Sequence, residues 1–102
     1  MNVLCINSSP RRNGNTQTMV RACERQCLEK GHSVTVLDAE TLKISRCIGC
    51  GNCEKKGVCV FNDDFTTRVL PQLEKAGLVV LASPVYFYGF PAGVKALIDR
   101  GQ

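Results

Sequence analysis

The sequence predicts an α/β fold in which a small parallel sheet carries helices on its faces. Short apolar segments at residues 2–7, 34–37 and 78–82 have the character of strands, and a segment with helical periodicity comes after each of them. This alternation is typical of parallel sheets, because each crossover helix returns the chain to the same end of the sheet. The length of 102 residues, with 44% hydrophobic and 22% charged residues, fits one domain over residues 1–102.

The first unit consists of a strand, a polar loop, a helix and a second strand. Residues 2–7 are rich in Val, Leu and Ile and run into turn-forming residues, so they predict a buried strand. From Thr16 onward, helical spacing predicts one buried face made of Met19, Val20, Cys23, Cys27 and Leu28. We expect Gly31 to end this helix in a left-handed conformation, before a second strand at residues 34–37.

The middle of the chain combines a long loop with an interrupted helix. Periodicity fades after Asp38, and residues 44–62 form a loop rich in Gly and Cys, whose length suggests a function. Asp63 or Asp64 is expected to cap a second helix that Gly77 ends. Its buried face comprises Phe65, Val69, Leu73 and Ala76. Because Pro71 removes a helical hydrogen bond, we expect a kink or break between Val69 and Leu70.

The last unit is a strand followed by an aromatic loop and a third helix. Residues 78–82 are continuously apolar and predict a fully buried strand. Residues 86–91 form a loop, and residues 92–100 form a helix with Pro91 at its first turn.

Composition excludes several classes of protein. The net charge of +4 is spread along the chain rather than gathered into a basic stripe, so no nucleic-acid partner is expected. The apolar runs are far shorter than the roughly 18 residues of a membrane span, and no secretory signal is recognisable, so we expect a cytoplasmic protein. Seven cysteines in such a chain predict a metal or redox site rather than a disulfide scaffold.

The loop at residues 8–16 has the features of an anion site. It joins a strand to a helix N-terminus, where free backbone N–H groups and the helix dipole favour a phosphate. Hydroxyls, amides and the charge of Arg11 complete the cradle, which lacks the glycine patterns of dinucleotide and triphosphate sites. The alternative is an ordinary polar connection, in which Asn15 or Thr16 only caps the helix.

The loop at residues 83–89 places three aromatic residues after the third strand. Exposed aromatics and backbone amides suit a flat heteroaromatic ring, and this loop leaves the same sheet edge as the phosphate loop. The alternative is a hydrophobic loop that packs on the core or on a partner subunit.

Four cysteines form a compact run, Cys47-x2-Cys50-x2-Cys53-x5-Cys59, with small or flexible residues between them. Thiolates at this spacing can surround an iron–sulfur cubane, whereas structural zinc sites more often use two separated pairs. Zinc binding and uncomplexed redox-active thiols stay open as alternatives. Cys5, Cys23 and Cys27 fall on predicted buried faces and are expected to belong to the core.

Three motifs in the same order resemble the NAD(P)H-dependent FMN reductase superfamily, and within it the iron–sulfur flavoprotein branch. They are Ser-Pro-Arg-Arg-Asn-Gly-Asn-Thr at residues 9–16, the cysteine run, and Ser-Pro-Val-Tyr-Phe at residues 83–87 with Lys-Ala-Leu-Ile-Asp-Arg at residues 95–100. The resemblance implies a flavodoxin-like three-layer parallel sheet, of which this chain holds about three strands. Resembling proteins continue with two further strands and helices, so we expect this chain to be the truncated N-terminal half of such a protein or, because its third strand would be uncovered, a homo-oligomer.

The resemblance also implies site residues and cofactors. FMN phosphate contacts would fall on Ser9, Arg11, Asn15 and Thr16, although Ser8 stands where the family usually has glycine. Contacts to the ribityl chain and the ring would fall on Pro84, Val85, Tyr86 and Phe87, and the ligands of a four-iron four-sulfur cluster would be Cys47, Cys50, Cys53 and Cys59.

The function implied is electron transfer between the cluster and FMN, with a redox partner protein or a small-molecule acceptor, and NAD(P)H as a candidate donor. Two alternatives remain open at this point. One is an NAD(P)H-dependent FMN or quinone reductase without a cluster, and the other is a non-enzymatic zinc-binding remnant.

Overall fold

A computed structural model describes residues 1–11 and 14–101, so Arg12 and Asn13 of the expected phosphate loop lie outside the described residues. Three parallel strands form one sheet in the order β2-β1-β3. They are β1 (Asn2–Asn7), β2 (Ser33–Asp38) and β3 (Leu78–Ala82). β1 lies in the centre because its residues 3–6 are apolar and buried on both faces. The expected α/β fold with a parallel sheet is confirmed.

The side chains of β1 alternate between two cores, as the pleat of a strand requires. Leu4 and Ile6 face the larger core, whose other buried members are Leu37, Ala39, Leu42, Phe65, Val69, Val94 and Leu97. Val3 and Cys5 face the smaller core, where they pack against Val20. Helices on both faces of one sheet give the three-layer, flavodoxin-like arrangement.

Helix α1 (Asn15–Glu29) covers the smaller core with a narrower face than the sequence predicts. Val20, Cys23 and Cys27 pack against β1, as expected. The prediction that Met19 and Leu28 are buried is wrong, because they flank this stripe and remain exposed. Gly31 has a φ of +83° and follows the helix end, as predicted.

The second predicted helix is interrupted where Pro71 requires it. A π-helical turn (Phe65–Val69) is followed by α3 (Leu70–Lys75), which has Pro71 in its first turn. The helix type thus changes between Val69 and Leu70, where the sequence predicts a kink or break, while both residues keep right-handed helical backbone angles. Phe65 and Val69 are buried in the larger core, and Leu73 and Ala76 pack against it.

Of the two aspartates expected to cap this helix, Asp63 makes the capping contact and Asp64 does not. Asp64 makes no capping hydrogen bond, and its Oδ2 instead accepts from the backbone N–H of Lys43 at 2.7 Å. Asp63 accepts from the backbone N–H of Phe65 at 3.2 Å, and it also forms an ion pair with Arg100 at 2.7 Å. The long loop also contains a short helix, α2 (Asn52–Lys56), while a 3₁₀ turn (Ala39–Thr41) follows β2.

The last strand is less buried than its sequence predicts. β3 forms an edge of the three-stranded sheet, so Leu78, Val79 and Leu81 are exposed and the expectation of full burial is wrong. Helix α4 (Ala92–Asp99) follows Pro91, as predicted, and buries Val94 and Leu97. Within the described residues, every helix is too short or too polar to cross a membrane.

Candidate functional site

The loop at residues 8–16, called here the phosphate loop, and the loop at residues 83–89, called here the aromatic loop, meet at the carboxyl ends of β1 and β3. A cavity of about 300 Å³ lies between them. Its lining comprises Ser9, Pro10, Arg11, Gly14, Asn15, Thr16, Pro84 and Tyr86. Six of the eight residues expected to contact FMN therefore surround one space, with polar groups on one side and Pro84 and Tyr86 on the other.

Asn7 shapes the phosphate loop, although the sequence analysis did not single it out. Its Oδ1 accepts a hydrogen bond from the backbone N–H of Ser9 at 3.1 Å, and its Nδ2 donates to Oε1 of Gln17. The Oγ of Ser9 in turn accepts from the N–H of Arg11 at 3.2 Å. A polar residue at the buried end of β1 is the signal that could have identified Asn7, since such groups need partners.

Helix α1 begins at Asn15, with Gly14 in the N-cap position and no side-chain capping bond. Asn15 and Thr16 thus do not occupy the capping position that the alternative interpretation of this loop requires. The free N–H groups of the first turn lie beside the cavity, where the positive end of the helix dipole favours an anion.

The aromatic loop is a tight reversal that holds two residues in a strained conformation. Tyr86 and Gly89 exchange both backbone hydrogen bonds, at 2.9 and 3.0 Å, and the two residues between them have φ of +48° (Phe87) and +64° (Tyr88). This geometry is that of a type I′ turn, which normally selects Asn and Gly because side chains with a Cβ are disfavoured at positive φ.

The two residues at the tip of this turn point into solvent. Phe87 is 98% exposed and Tyr88 is 96% exposed, and their rings meet edge to face with centroids 6.0 Å apart. Phe87 does not line the cavity between the loops, and Val85 lines a neighbouring cavity of about 210 Å³ instead. These are the two expected FMN contacts that the structure does not bring to the main cavity.

The four cysteines of the long loop surround a second cavity of about 200 Å³. Cys47, Cys50, Cys53 and Cys59 line it together with Arg100, Asp99, Phe61 and other residues of the loop. Among residues 1–11 and 14–101, however, no group of three or more His, Cys, Asp or Glu side chains stands in an arrangement that could hold a metal. Among the described residues, the loop thus gathers four thiols around one space without the close spacing that a single metal ion requires.

Hydrogen bonds and glycines with positive φ shape the backbone of the cysteine loop. The N–H of Gly49 donates to Sγ of Cys47 at 3.4 Å, and Nδ2 of Asn52 donates to the carbonyl oxygen of Val58 at 2.8 Å. Gly49 and Gly51 have φ of +66° and +77°, a region that glycine enters without strain. Donor sets of four cysteine thiolates are those that iron–sulfur clusters and zinc select.

Arg100 and Asp63 close the base of the cysteine loop. Nη1 of Arg100 lies 2.7 Å from Oδ2 of Asp63 and Nη2 lies 3.0 Å from Oδ1, which makes a bidentate pair. Nη1 also donates to the carbonyl oxygen of Ser45 at 2.9 Å, and the guanidinium lies over the rings of Phe61 and Phe65. Both ends of the loop are therefore tied to the residue that follows α4.

The electrostatics of this pair follow from these contacts. Hydrogen bonding from Arg100 holds the pKa of Asp63 well below its ordinary value, helped by the N–H groups of Ser45 and Phe65 and opposed by burial. The pKa of Arg100 is raised, first by hydrogen bonding to Asp63 and less by its attraction to Cys59, while burial lowers it. Both groups remain ionised around neutral pH.

The sequence analysis listed no role for Arg100 beyond the resemblance. Val94, Leu97 and Arg100 follow one another at intervals of three, so Arg100, just after the end of α4, continues the buried face of that helix. A charge on an apolar helix face must find a partner, so this spacing is the signal that could have identified the pair.

The remaining cysteines lie in the smaller core. Cys5 is fully buried and packs near Cys23 and Cys27. Burial, and then the neighbouring Cys23, raise the pKa of Cys5 to about 11, so its thiol is protonated at neutral pH. The seven cysteines, all within the described residues, form no disulfide with one another.

A parallel sheet of order β2-β1-β3, with two loops around a cavity at its carboxyl edge, is an arrangement in which flavodoxin-like folds bind ligands. The model of the NADPH-dependent FMN reductase family matches residues 1–102, so the chain belongs to that family.

Known proteins similar to this chain agree with the assignment. An iron–sulfur flavoprotein of Methanocaldococcus jannaschii is 35% identical over 102 residues, which is 100% of this chain and 52% of the relative. One from Archaeoglobus fulgidus is 37% identical over 100 residues, which is 98% of this chain and 45% of the relative. The chain thus spans about half the length of the curated relatives it matches.

Solved structures share the fold. A Klebsiella pneumoniae protein assigned as a quinone reductase superposes with a TM-score of 0.76 at 20% identity, covering 98% of this chain and 44% of that one. Protein Smu.1420 of Streptococcus mutans UA159 gives a TM-score of 0.68 at 20% identity, covering 98% and 52%.

Proposed function

We propose that this chain binds FMN and a four-iron four-sulfur cluster and serves in electron transfer between them. The observation that carries the proposal is that the four loop cysteines line one cavity, in a chain of the FMN reductase family whose curated relatives include iron–sulfur flavoproteins. When bound, the two cofactors supply the redox chemistry, and the protein supplies position and electrostatics.

In this proposal, the phosphate loop binds the phosphate of FMN and the aromatic loop contacts its isoalloxazine ring. Ser9, Arg11, Asn15 and Thr16 lie around the N-terminus of α1, where N–H donors and a positive charge favour a phosphate. Pro84 and Tyr86 on the opposite wall present apolar surface to the ribityl chain and ring. Val85 and Phe87 are exposed, so their contacts require the turn to fold toward the ligand.

On the cysteine side, the chain would supply Cys47, Cys50, Cys53 and Cys59. Their thiols already share one cavity, and the glycines between them allow the backbone to move the sulfurs together. Deprotonation of the thiols is coupled to ligand formation, so assembly of the site releases protons. A redox partner protein or a small-molecule acceptor would then take or supply electrons at the exposed loops.

A second candidate is an NAD(P)H-dependent FMN or quinone reductase in which the cysteines hold no iron. It is favoured by the cysteine side chains, which stand in no arrangement that could hold a metal among the described residues. The family match is equally consistent with it.

The test is the anaerobic visible spectrum of the purified protein, with iron, sulfide and flavin quantified on the same sample. Iron and sulfide near four per chain, beside FMN, support the proposal. FMN without iron supports the reductase, and zinc without flavin supports a metal-binding remnant.

A further inference from the structure

Arg100 makes a hydrogen bond beyond its ion pair with Asp63, and one of its N–H donors has no acceptor among the described residues. Its side chain is only 1% exposed, and its two terminal nitrogens are taken by Asp63 and the carbonyl oxygen of Ser45. Its Nε is also buried but has no hydrogen-bond acceptor among the described residues. Buried N–H groups without acceptors are rare in folded proteins and call for an explanation.

The acceptor that this N–H lacks is available in the cavity that Arg100 lines. That cavity is the one surrounded by the four loop cysteines, and Cys59 lies near enough to attract the guanidinium. A thiolate sulfur, free or bound to iron, accepts N–H hydrogen bonds, and a neutral thiol does so only weakly. Cys59 is therefore the candidate acceptor for the Nε–H group of Arg100.

We infer that Arg100 donates a hydrogen bond and a positive charge to the Cys59 sulfur of the cluster, and thereby raises the reduction potential of the cluster. Asp63 is the positioning residue, because its bidentate contact fixes the plane of the guanidinium. This inference rests on the proposed function, since it assigns a role toward the cluster proposed there.

The sign of the effect follows from charge. One-electron reduction of a cluster adds one negative charge, which a buried cation nearby stabilises more strongly than it would in water. A hydrogen bond to a ligand sulfur acts in the same direction, because it withdraws charge from the sulfur. Removal of Arg100 should therefore shift the redox equilibrium of the cluster toward its oxidised form, relative to wild type.

The experiment compares the cluster midpoint potential of reconstituted wild-type protein with two variants at Arg100. Arg100→Gln removes the charge, and Arg100→Lys keeps the charge but removes Nε and the planar fork. Arg68→Gln is the matched control, since Arg68 is exposed and does not line the cavity. Iron and sulfide content and far-ultraviolet circular dichroism are recorded on every sample.

We expect Arg100→Gln to shift the redox equilibrium about tenfold toward the oxidised cluster, a fall of about 59 mV in a one-electron titration. Arg100→Lys should fall by less, and Arg68→Gln should match the wild type. If Arg100→Gln does not fold, the comparison of Arg100→Lys with wild type decides. Potentials equal to wild type in the loaded variants overturn the inference alone, whereas a wild-type protein that takes up no iron overturns the proposed function with it.

Discussion

The backbone N–H and the Oγ of Ser8 both donate to the carbonyl oxygen of Ala82, at 2.9 and 3.2 Å. This double contact joins the end of β1 to the end of β3, and Ser8 is completely buried there. The phosphate loop and the aromatic loop therefore leave the sheet from one fixed point. Contacts within the chain itself therefore set the position of the two loops on either side of the cavity.

Thr16→Val is expected to weaken FMN binding about tenfold, because a hydrogen bond to a charged phosphate contributes about 1.5 kcal/mol or more. Thr16 lines the cavity beside the phosphate loop. Thr18→Val is the control, since Thr18 lies two residues further on, is exposed, and donates to the carbonyl oxygen of Gly14. Fluorescence titration of FMN measures both, and an unchanged dissociation constant in Thr16→Val removes this hydroxyl from the site.

Cys50→Ala is expected to abolish stable iron binding while leaving flavin content unchanged, because a cluster with three thiolates loses a ligand but the flavin cavity is separate. Cys27→Ala is the control, since this cysteine lies on α1 away from the loop. Iron and sulfide assays on anaerobically reconstituted samples decide. Equal iron in Cys50→Ala and wild type contradicts the ligand set.

Tyr88→Gly is expected to stabilise the folded chain by about 1 kcal/mol, because glycine relieves the strain of a positive φ at this turn position. Tyr88→Ala removes the same ring but keeps the Cβ, so it should give no such gain. Urea unfolding of both variants measures the difference. If the two variants are equally stable, the turn stores no strain at Tyr88.

Asp63→Asn is expected to lower the free energy of unfolding by about 3 kcal/mol at pH 7, because it leaves the charge of Arg100 buried without its partner. The pKa of Asp63 is lowered in the folded chain, so its stabilising effect is present above its unfolded pKa, about 4, and is lost as pH falls below that value.

The difference between wild type and Asp63→Asn should therefore shrink between pH 5 and pH 2, as measured by denaturant unfolding at each pH. Asp64→Asn serves as the control, because Asp64 accepts from the exposed backbone N–H of Lys43 and makes no ion pair with Arg100 among the described residues. A constant difference across this range contradicts the ionic role of Asp63.

Local signals in the sequence predicted most of the fold. The apolar run of β1, the left-handed Gly31 and the change of helix type before Pro71 each depend on residues within a few positions, so the sequence specifies them directly. The position of the phosphate loop and the aromatic loop at one edge of the sheet was also predicted, because parallel strands end at the same edge.

The features that the sequence did not predict correctly depend on residues that lie far apart in the chain. Met19 and Leu28 are apolar at helical spacing, but only the width of the sheet below α1 decides whether they are covered. The cap expected at Asp63 forms, but its pairing with Arg100 spans 37 residues, and a local pattern does not reveal such a contact. The exposure of Leu78, Val79 and Leu81 likewise depends on the position of β3 in the strand order.

The contact between Arg100 and Asp63 also sets an order of events during synthesis. The ribosome makes the cysteine loop first and reaches Arg100 only 37 residues after Asp63, roughly two to seven seconds later. During that interval the chain lacks the guanidinium of Arg100, which contacts Ser45 near the start of the loop and Asp63 just after its end. A nascent chain therefore carries its four loop thiols before the contacts of Arg100 can join the two ends of the loop.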